Sequence, residues 1–200
     1  MTAAPTPAFV PNADQAQFFT DFLKFLLDPL QKEYRLTGAG GTGKTASMME
    51  VINVVFPKYQ EACERLGISA NYETVSLTAT TNKAAEVLSD QTGLPCQTIH
   101  SLLGLKVTVN SGSRDSKLTL KRDAEFVYNR LIVVDEASML CPDGKQFVTD
   151  RTVNCKILYV GDSYQLQPVN FNYSPVYSGP GLTSELTISE RNKFSPDLQA

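Results

Sequence analysis

Eight consecutive residues, Gly38-Ala39-Gly40-Gly41-Thr42-Gly43-Lys44-Thr45, constrain this chain more than any other stretch in it. They satisfy the pattern G-x-x-x-x-G-K-[ST] in full. The run Tyr34-Arg35-Leu36-Thr37 before them reads as a strand, and a helical stretch follows from about Lys44 to Phe56, with Pro57 expected to stop it. In that context the glycines let the backbone bend so that successive N–H groups face phosphate oxygens at the positive end of the helix. Lys44 would bridge the β- and γ-phosphates, and the Thr45 hydroxyl would ligate Mg²⁺. Gly38, Gly40, Gly41, Thr42 and Gly43 complete the cradle. A chance glycine-rich turn is the alternative, and a full match between strand and helix leaves it little room. The reading is a site for a nucleoside triphosphate and Mg²⁺.

A chain built around such a loop is α/β, and the remaining sequence agrees. At 200 residues, 42% apolar and 20% charged, it can bury a core and suits one α/β domain, or one with a small insertion. Gly 12, Pro 11 and Cys 4 exclude collagen-like and disulfide-dense classes. Cys63, Cys96, Cys141 and Cys155 form no C-x-x-C pair and read as free thiols of a reducing cytoplasm. No uncharged apolar run approaches the roughly 18 residues of a membrane span; Lys24 and Asp28 interrupt the best candidate. Residues 1–12 lack a basic segment followed by an apolar one, so no secretory signal is expected, and their prolines suggest a flexible leader.

Net charge is −3, which argues against coating nucleic acid by bulk electrostatics. The charge is uneven. From Lys106 to Arg130 six basic residues face three acidic ones, a local +3, while the rest of the chain carries −6. Such a segment could meet a phosphate backbone or be a solvated loop.

Hydrophobic periodicity places the other elements. Phe18, Phe22, Phe25 and Leu26 have helical spacing within Ala13 to Leu27, with Asn12 as cap. Thr74 to Ala79 reads as a strand and Asn82 to Asp90 as a helix. Arg130 to Val134 and Cys155 to Val160 are continuous apolar runs, as expected of strands buried on both faces of a parallel sheet. With the phosphate loop, alternating strands and helices predict a doubly wound α/β P-loop NTPase domain, mostly parallel sheet flanked by helices. Lys106-Val107-Thr108-Val109 and Lys117-Leu118-Thr119-Leu120 alternate polar and apolar, predicting an inserted β-hairpin subdomain. The expected division is a leader over 1–12, an ATPase domain over 13–103 and 129–190, a hairpin insertion over 104–128, and a connection over 191–200.

The strand ending Val133-Val134-Asp135-Glu136 supplies a second piece of chemistry. A carboxylate at the end of a buried strand beside the phosphate loop can hold Mg²⁺ through water, which assigns Asp135. Glu136, leaving the strand, can orient or deprotonate an attacking water. An adjacent Glu favours hydrolysis over phosphoryl transfer to a metabolite. In Gly161-Asp162-Ser163-Tyr164-Gln165-Leu166-Gln167-Pro168-Val169, Gln165 follows a sheet strand where it could sense the γ-phosphate, or the stretch is simply a turn. The residues alone do not choose.

Taken in order, GAGGTGKT, TATTNKAAEVL, QTIHSLLGL, VVDEASM, GDSYQLQPV and LTISER resemble superfamily 1 DNA helicases of the RecD-like and phage Dda-like, 5′-to-3′ branch. The resemblance implies an ATP-dependent helicase that hydrolyses ATP under stimulation by single-stranded DNA. It also implies further roles. Gln15 falls where the family reads adenine. Thr80, Thr81 and Asn82, and then Thr98 and His100, fall in motifs that contact the single strand; helix capping is the competing use of the threonines. Gln165 would couple the γ-phosphate to the DNA site, and Arg191 would act as an arginine finger. The hairpin corresponds to the family's strand-separating pin, with Lys117, Lys121 and Arg122 as backbone contacts. The implied partners are single-stranded DNA and single-strand/duplex junctions, with replication or recombination proteins beside them. The expected state is a monomer in the cytoplasm of a bacterial cell or phage-infected host.

The family's motor needs two RecA-like domains with ATP between them. This sequence stops at Ala200, where Ser195-Pro196-Asp197 reads as the start of a helix. An amino-terminal portion or truncated form of a helicase is therefore expected, deficient in unwinding by itself. The alternatives are a stand-alone nucleotide-dependent DNA-binding or loader module and, more weakly, a P-loop kinase.

Overall fold

A computed structural model describes residues 9–109, 116–163 and 174–190. Among the motif residues, Gln165 and Arg191 lie outside these, as do the hairpin tip, the first eight residues of the expected leader and the helix start at Ser195.

Helix α1 (Ala13–Leu27) opens on a reciprocal cap. Gln15 N–H donates to Asn12 Oδ1, and Asn12 N–H donates to Gln15 Oε1, each at 3.0 Å. Strand β1 (Glu33–Gly38) leads through the glycine loop into α2 (Lys44–Glu50). The expected stop at Pro57 does not occur. The helix widens into a π segment, Val51–Val55, and continues as α3 (Phe56–Arg65) with Pro57 in its first turn. Proline supplies no N–H to the preceding turn, and the looser i-to-i−5 spacing there accommodates its ring. Strand β2 (Thr74–Ala79), helix α4 (Asn82–Thr92), strand β3 (Cys96–Thr98) and helix α5 (Ile99–Leu102) follow. The hairpin is β4 (Leu105–Val109) with β5 (Ser116–Leu120), antiparallel and in the expected place. Then come β6 (Val127–Tyr128), β7 (Arg130–Asp135), a 3₁₀ turn at Ala137–Met139, α6 (Pro142–Arg151), β8 (Thr152–Val153), β9 (Lys156–Gly161) and β10 (Leu182–Leu186).

Six strands form one sheet in the order β10-β1-β9-β7-β2-β3, every pairing parallel. The edge strands β3 and β10 escape sequence inspection: β3 has three residues, and Leu182-Thr183-Ser184-Glu185-Leu186 is mostly exposed and polar. The central strands confirm burial on both faces. In β7, Leu131 and Val133 enter a core with α1 to α3, while Ile132 and Val134 enter the opposite core with α5 and α6. β9 divides likewise, Leu158 and Val160 to the first face and Ile157 and Tyr159 to the second. Alternation is present but hidden, because both faces are apolar.

The α1 side is aromatic. Phe18, Phe22 and Phe25 surround Tyr34 with ring centroids 5.9, 5.5 and 5.3 Å away. Each such fully buried side chain contributes about 1.5–3 kcal/mol. This packing presses the start of α1 against the phosphate loop. Asp14 Oδ2 accepts from Thr187 N–H (2.7 Å), Thr187 Oγ1 (2.8 Å) and Ile188 N–H (3.2 Å), tying α1 to the end of β10. Those bonds hold the Asp14 carboxyl below its ordinary pKa, the Thr187 backbone bond foremost. No helix among the described residues is long and apolar enough to cross a membrane.

Candidate nucleotide site and strand-contact edge

Parallel strands carry their functional residues at their carboxyl ends, and β1 and β7 do so here, on either side of β9. The glycine loop leaves β1, and Asp135 and Glu136 leave β7. Between them opens a cleft of about 460 Å³, lined by Gly40, Gly41, Lys44, Thr45, Asp135 and Glu136, with α4 residues such as Val87 as the far wall and Glu190 at the rim.

Gly43 adopts φ +86° as the first residue against α2, a region that favours glycine. A side chain there would also collide with Gln15, whose Nε2 would lie 2.6 Å from the added carbon. Thr42 is buried and closes the loop, its hydroxyl donating to the Ala39 carbonyl at 2.9 Å. Lys44 Nζ donates to the carbonyls of Gly38 (2.7 Å) and Ala39 (3.0 Å), which keeps the ammonium at the mouth of the loop. Glu190 N–H donates to the Gly41 carbonyl at 2.9 Å, and Asn12 Nδ2 donates to Glu190 Oε1 at 2.5 Å.

Asp135 is the most perturbed carboxylate described. Burial, helped by the Glu136 charge, pushes its pKa up to about 6, against the opposing pull of the Glu136 amide and Lys44. Glu136 sits in left-handed backbone, φ 52°, with its carbonyl accepting from Thr80 Oγ1 at 3.3 Å and Met139 N–H at 3.1 Å. A non-glycine residue held there costs of order 1–3 kcal/mol. The bend turns the chain sharply at the end of β7 and puts Glu136 on the cleft wall.

The site's oxygen donors suit Mg²⁺. Thr45 offers a hydroxyl and Asp135 a carboxylate, and among the described residues no cluster of three or more His, Cys, Asp or Glu could cage a metal. Mg²⁺ keeps several waters and is usually bound by one or two protein oxygens with substrate phosphates.

Of the two glutamines early in α1, Gln15 is 1% exposed and faces the loop, with Nε2 lacking a hydrogen-bond partner among the described residues. Gln17 is on the solvent side, donating to Asp21 at 2.7 Å.

The residues to which the resemblance assigns strand contact gather at one edge of the sheet. Ala79 pairs with Thr98, so the turn after β2 and the start of α5 are neighbours. Thr81 and Thr98 both cap helices, accepting from Ala84 N–H (3.1 Å) and Ser101 N–H (3.0 Å). Thr80 is turned inward, towards Glu136, and Asn82 is exposed. His100 is half-buried, and burial lowers its pKa and favours the neutral ring; Nε2 lacks a partner among the described residues. Lys117, Lys121 and Arg122 are exposed on and beside the hairpin, where Lys121 N–H donates to the Gly104 carbonyl at 2.9 Å and ties its base to α5. Phe126 and Tyr128, beside the hairpin, are 45% and 51% exposed, and the Arg151 guanidinium lies 4.1 Å over the Phe126 ring.

Sequence inspection missed the contribution of α4 to the cleft wall and of Glu190 to the loop. Val87 carries no chemical signature, but Glu190 lies within the LTISER stretch and was open to notice.

Loop, helix and acid-terminated strand together define a P-loop nucleotide-binding domain on a doubly wound parallel sheet. Residues 30–171 match the family described as an AAA domain, and the chain belongs to that family. It is distantly similar to superfamily 1 5′-to-3′ helicases, as its ordered motifs imply. The ATP-dependent DNA helicase dda of Enterobacteria phage T4 is 28% identical over 158 residues, covering 76% of this chain and 32% of that protein. The ATP-dependent RecD2 DNA helicase of Deinococcus radiodurans is 34% identical over 137 residues, 68% of this chain and 16% of that one. The chain thus spans a third or less of these relatives. Among solved structures, Bacteroides sp Pif1 in complex with ADP-AlF4 superposes with a TM-score of 0.56 at 19% identity, over 92% of this chain and 43% of that one. Candida albicans Pif1 helicase gives 0.52 at 19%, over 93% and 41%. These last two likenesses concern the fold.

Proposed function

We propose that this chain is the first motor domain of an ATP-dependent DNA helicase, hydrolysing ATP under stimulation by single-stranded DNA to drive translocation and unwinding together with a second RecA-like domain. The observation that carries the reading is the single cleft in which the Gly40–Thr45 loop faces Asp135 and Glu136. Triphosphate oxygens would replace the Gly38 and Ala39 carbonyls as partners of Lys44, and the loop amides would take the rest. Thr45 and Asp135 would hold Mg²⁺, which supplies charge neutralisation on the phosphates. Glu136 accepts the proton of the attacking water as the water oxygen bonds to the γ-phosphorus and the bond to the ADP oxygen breaks. Gln15 Nε2, without a hydrogen-bond partner among the described residues, stands beside the loop and suits an acceptor nitrogen of adenine.

In the same reading Gln165 senses the γ-phosphate and Arg191 stabilises the charge of the transition state. Single-stranded DNA runs along the edge formed by Thr81, Asn82 and Thr98. There the capping hydroxyls accept from backbone amides and keep their protons for phosphate oxygens. Thr80, turned inward, links that edge to the Glu136 carbonyl. His100 completes the contact, and Lys117, Lys121 and Arg122 extend it along a hairpin that acts as the pin at a junction.

Phosphate release measured with and without single-stranded DNA, at two salt concentrations, tests this. Stimulation that weakens with salt is expected. Turnover unchanged by Lys44→Ala and by Glu136→Gln would overturn it.

A further inference from the structure

Between the hairpin and β7 the chain runs Phe126-Val127-Tyr128, and strand geometry divides these three residues between two faces. Val127 is buried in the core shared with α5 and α6 and pairs with Thr152 of β8. Phe126 and Tyr128 stand outward, with ring centroids 6.2 Å apart and planes inclined by 46°. Val153, also exposed, pairs with Tyr128 and enlarges the patch. Neighbouring apolar side chains left in water are unfavourable, and a patch of this kind marks a contact surface.

The rings are held in place by arginines. Arg151, whose guanidinium covers Phe126, donates to the Ala124 carbonyl at 2.8 Å. Arg130 donates to the Tyr128 carbonyl at 3.2 Å and to Ser76 Oγ at 3.1 Å. Phe126, Arg130 and Lys121 line a cavity of about 350 Å³, to which α5 contributes Ser101 and Leu102. Helix α5 begins at the Thr98 cap, so the cavity continues from the edge assigned to the single strand towards the aromatic pair. The charge around it is mixed. Lys121, Arg122, Arg130 and Arg151 are set against Asp123 and Glu125, and all but Arg151 belong to the segment that carries +3 in a chain otherwise at −6. A polyanion is drawn to this segment and repelled by the rest of the chain. Single-stranded DNA answers both features, since its bases offer flat faces to the rings and its phosphates offer charge to the cations. An apolar protein surface would answer the rings alone.

We infer that Phe126 and Tyr128 form a stacking platform for unpaired bases of single-stranded DNA, a second subsite reached from α5 past the base of the hairpin. The inference rests on the strand-contact reading above and goes beyond it. At the edge formed by Thr81, Asn82 and Thr98 the protein meets the sugar–phosphate backbone, whereas here it meets the bases. Every base has a π-face, so the platform adds affinity without sequence preference. Arg151 fixes the Phe126 ring in advance, which lowers the ordering cost of binding.

The test is fluorescence-anisotropy titration of a dye-labelled oligothymidylate with the whole chain, with thermal melting alongside. Phe126→Leu and Tyr128→Leu keep apolar bulk but remove the ring, and each should weaken binding about five- to tenfold with the melting midpoint unchanged. Phe126→Tyr and Tyr128→Phe keep a ring and should bind as the parent does. Salt separates stacking from charge: the loss on Phe126→Leu should be the same at low and high salt, while Lys121→Gln should flatten the salt dependence. In the unsubstituted chain, an oligonucleotide carrying 5-iodouracil should cross-link on irradiation to Phe126 or Tyr128, a readout that no folding defect can mimic. Leucine variants that bind within about twofold of the parent overturn the inference and leave the rings to a protein partner, and so do cross-links confined to other residues. If the parent chain binds no oligonucleotide, the strand-contact reading falls and this inference with it. Binding that Lys121→Gln weakens and both leucine variants leave intact sinks this inference alone.

Discussion

Strand β7 has a left-handed residue at each end, and the two ends treat it in opposite ways. Asn129, φ 51°, precedes the strand, and Glu136, φ 52°, follows it. Asparagine enters this region at small penalty, and here its groups are engaged. Asn129 N–H donates to the Val153 carbonyl (3.2 Å), its carbonyl accepts from Glu73 N–H (2.9 Å), and its Oδ1 accepts from Asn154 Nδ2 (2.8 Å). Asn154, itself at φ 51°, stands just before β9 and also reaches the Asn71 carbonyl at 3.1 Å. Next to it Lys156 is 1% exposed, with Nζ donating to the Asp28 and Gln31 carbonyls and lying 4.4 Å over the Phe25 ring. At the other end a glutamate takes the strained position beside a half-buried Asp135 and the Tyr177 and Ser138 oxygens, which lack a hydrogen-bond partner among the described residues. At the amino-terminal ends of the strands Asn129, Asn154 and Lys156 are all bonded, and the carboxyl-terminal ends leave capacity for a ligand.

If that contrast is right, substitutions at the two edges should separate turnover from stability. Glu136→Gln should lower ATP turnover about 10²–10⁴-fold while leaving the melting midpoint and nucleotide affinity close to the parent, read by phosphate release and equilibrium binding. Lys44→Ala should lower turnover about 10²–10³-fold and weaken nucleotide binding as well, since it removes a donor used in both states. Lys156→Met should leave turnover at neutral pH unchanged but destabilise the fold by about 2 kcal/mol in urea titrations, because the Asp28 and Gln31 carbonyls lose their donor.

Lys156 also predicts a pH dependence. Burial lowers its folded pKa to about 8 from an ordinary 10.5, so the unfolded chain binds the proton more tightly. Its contribution to stability should therefore rise as pH increases from about 8 towards 10.5, and Lys156→Met should lack that rise. The smallest effect belongs to Asn129→Ala, about 1–2 kcal/mol from the left-handed backbone and the lost Asn154 bond, with turnover intact. Should Asn129→Ala reduce turnover as severely as Glu136→Gln, the distinction between the two edges would be broken.

The phosphate loop was legible because its chemistry is local: consecutive amides, a lysine and a hydroxyl are all the neighbours that the function needs. The α1 boundaries were legible for a similar reason, since Asn12 and four apolar residues at helical spacing sit on one helix. Pro57 misled because a proline's effect depends on the helix geometry around it, and a π segment is set by packing. The β10 strand escaped because its pairing with β1 spans almost the whole chain, from Tyr34 to Leu182, and edge strands need no apolar run.

What the sequence by itself determined was the inventory of reacting groups: a triphosphate cradle, two adjacent carboxylates at a strand end, and a basic hairpin. Spacing along the chain was sufficient for each. Only the tertiary structure decided which of them meet. Gln15 rather than Gln17 lies against the loop, Thr80 turns to the Glu136 carbonyl instead of outward, and Tyr177 reaches the space over Gly161. Those juxtapositions join residues far apart in sequence, and they follow from how two apolar faces of one sheet exclude water, which no local pattern encodes.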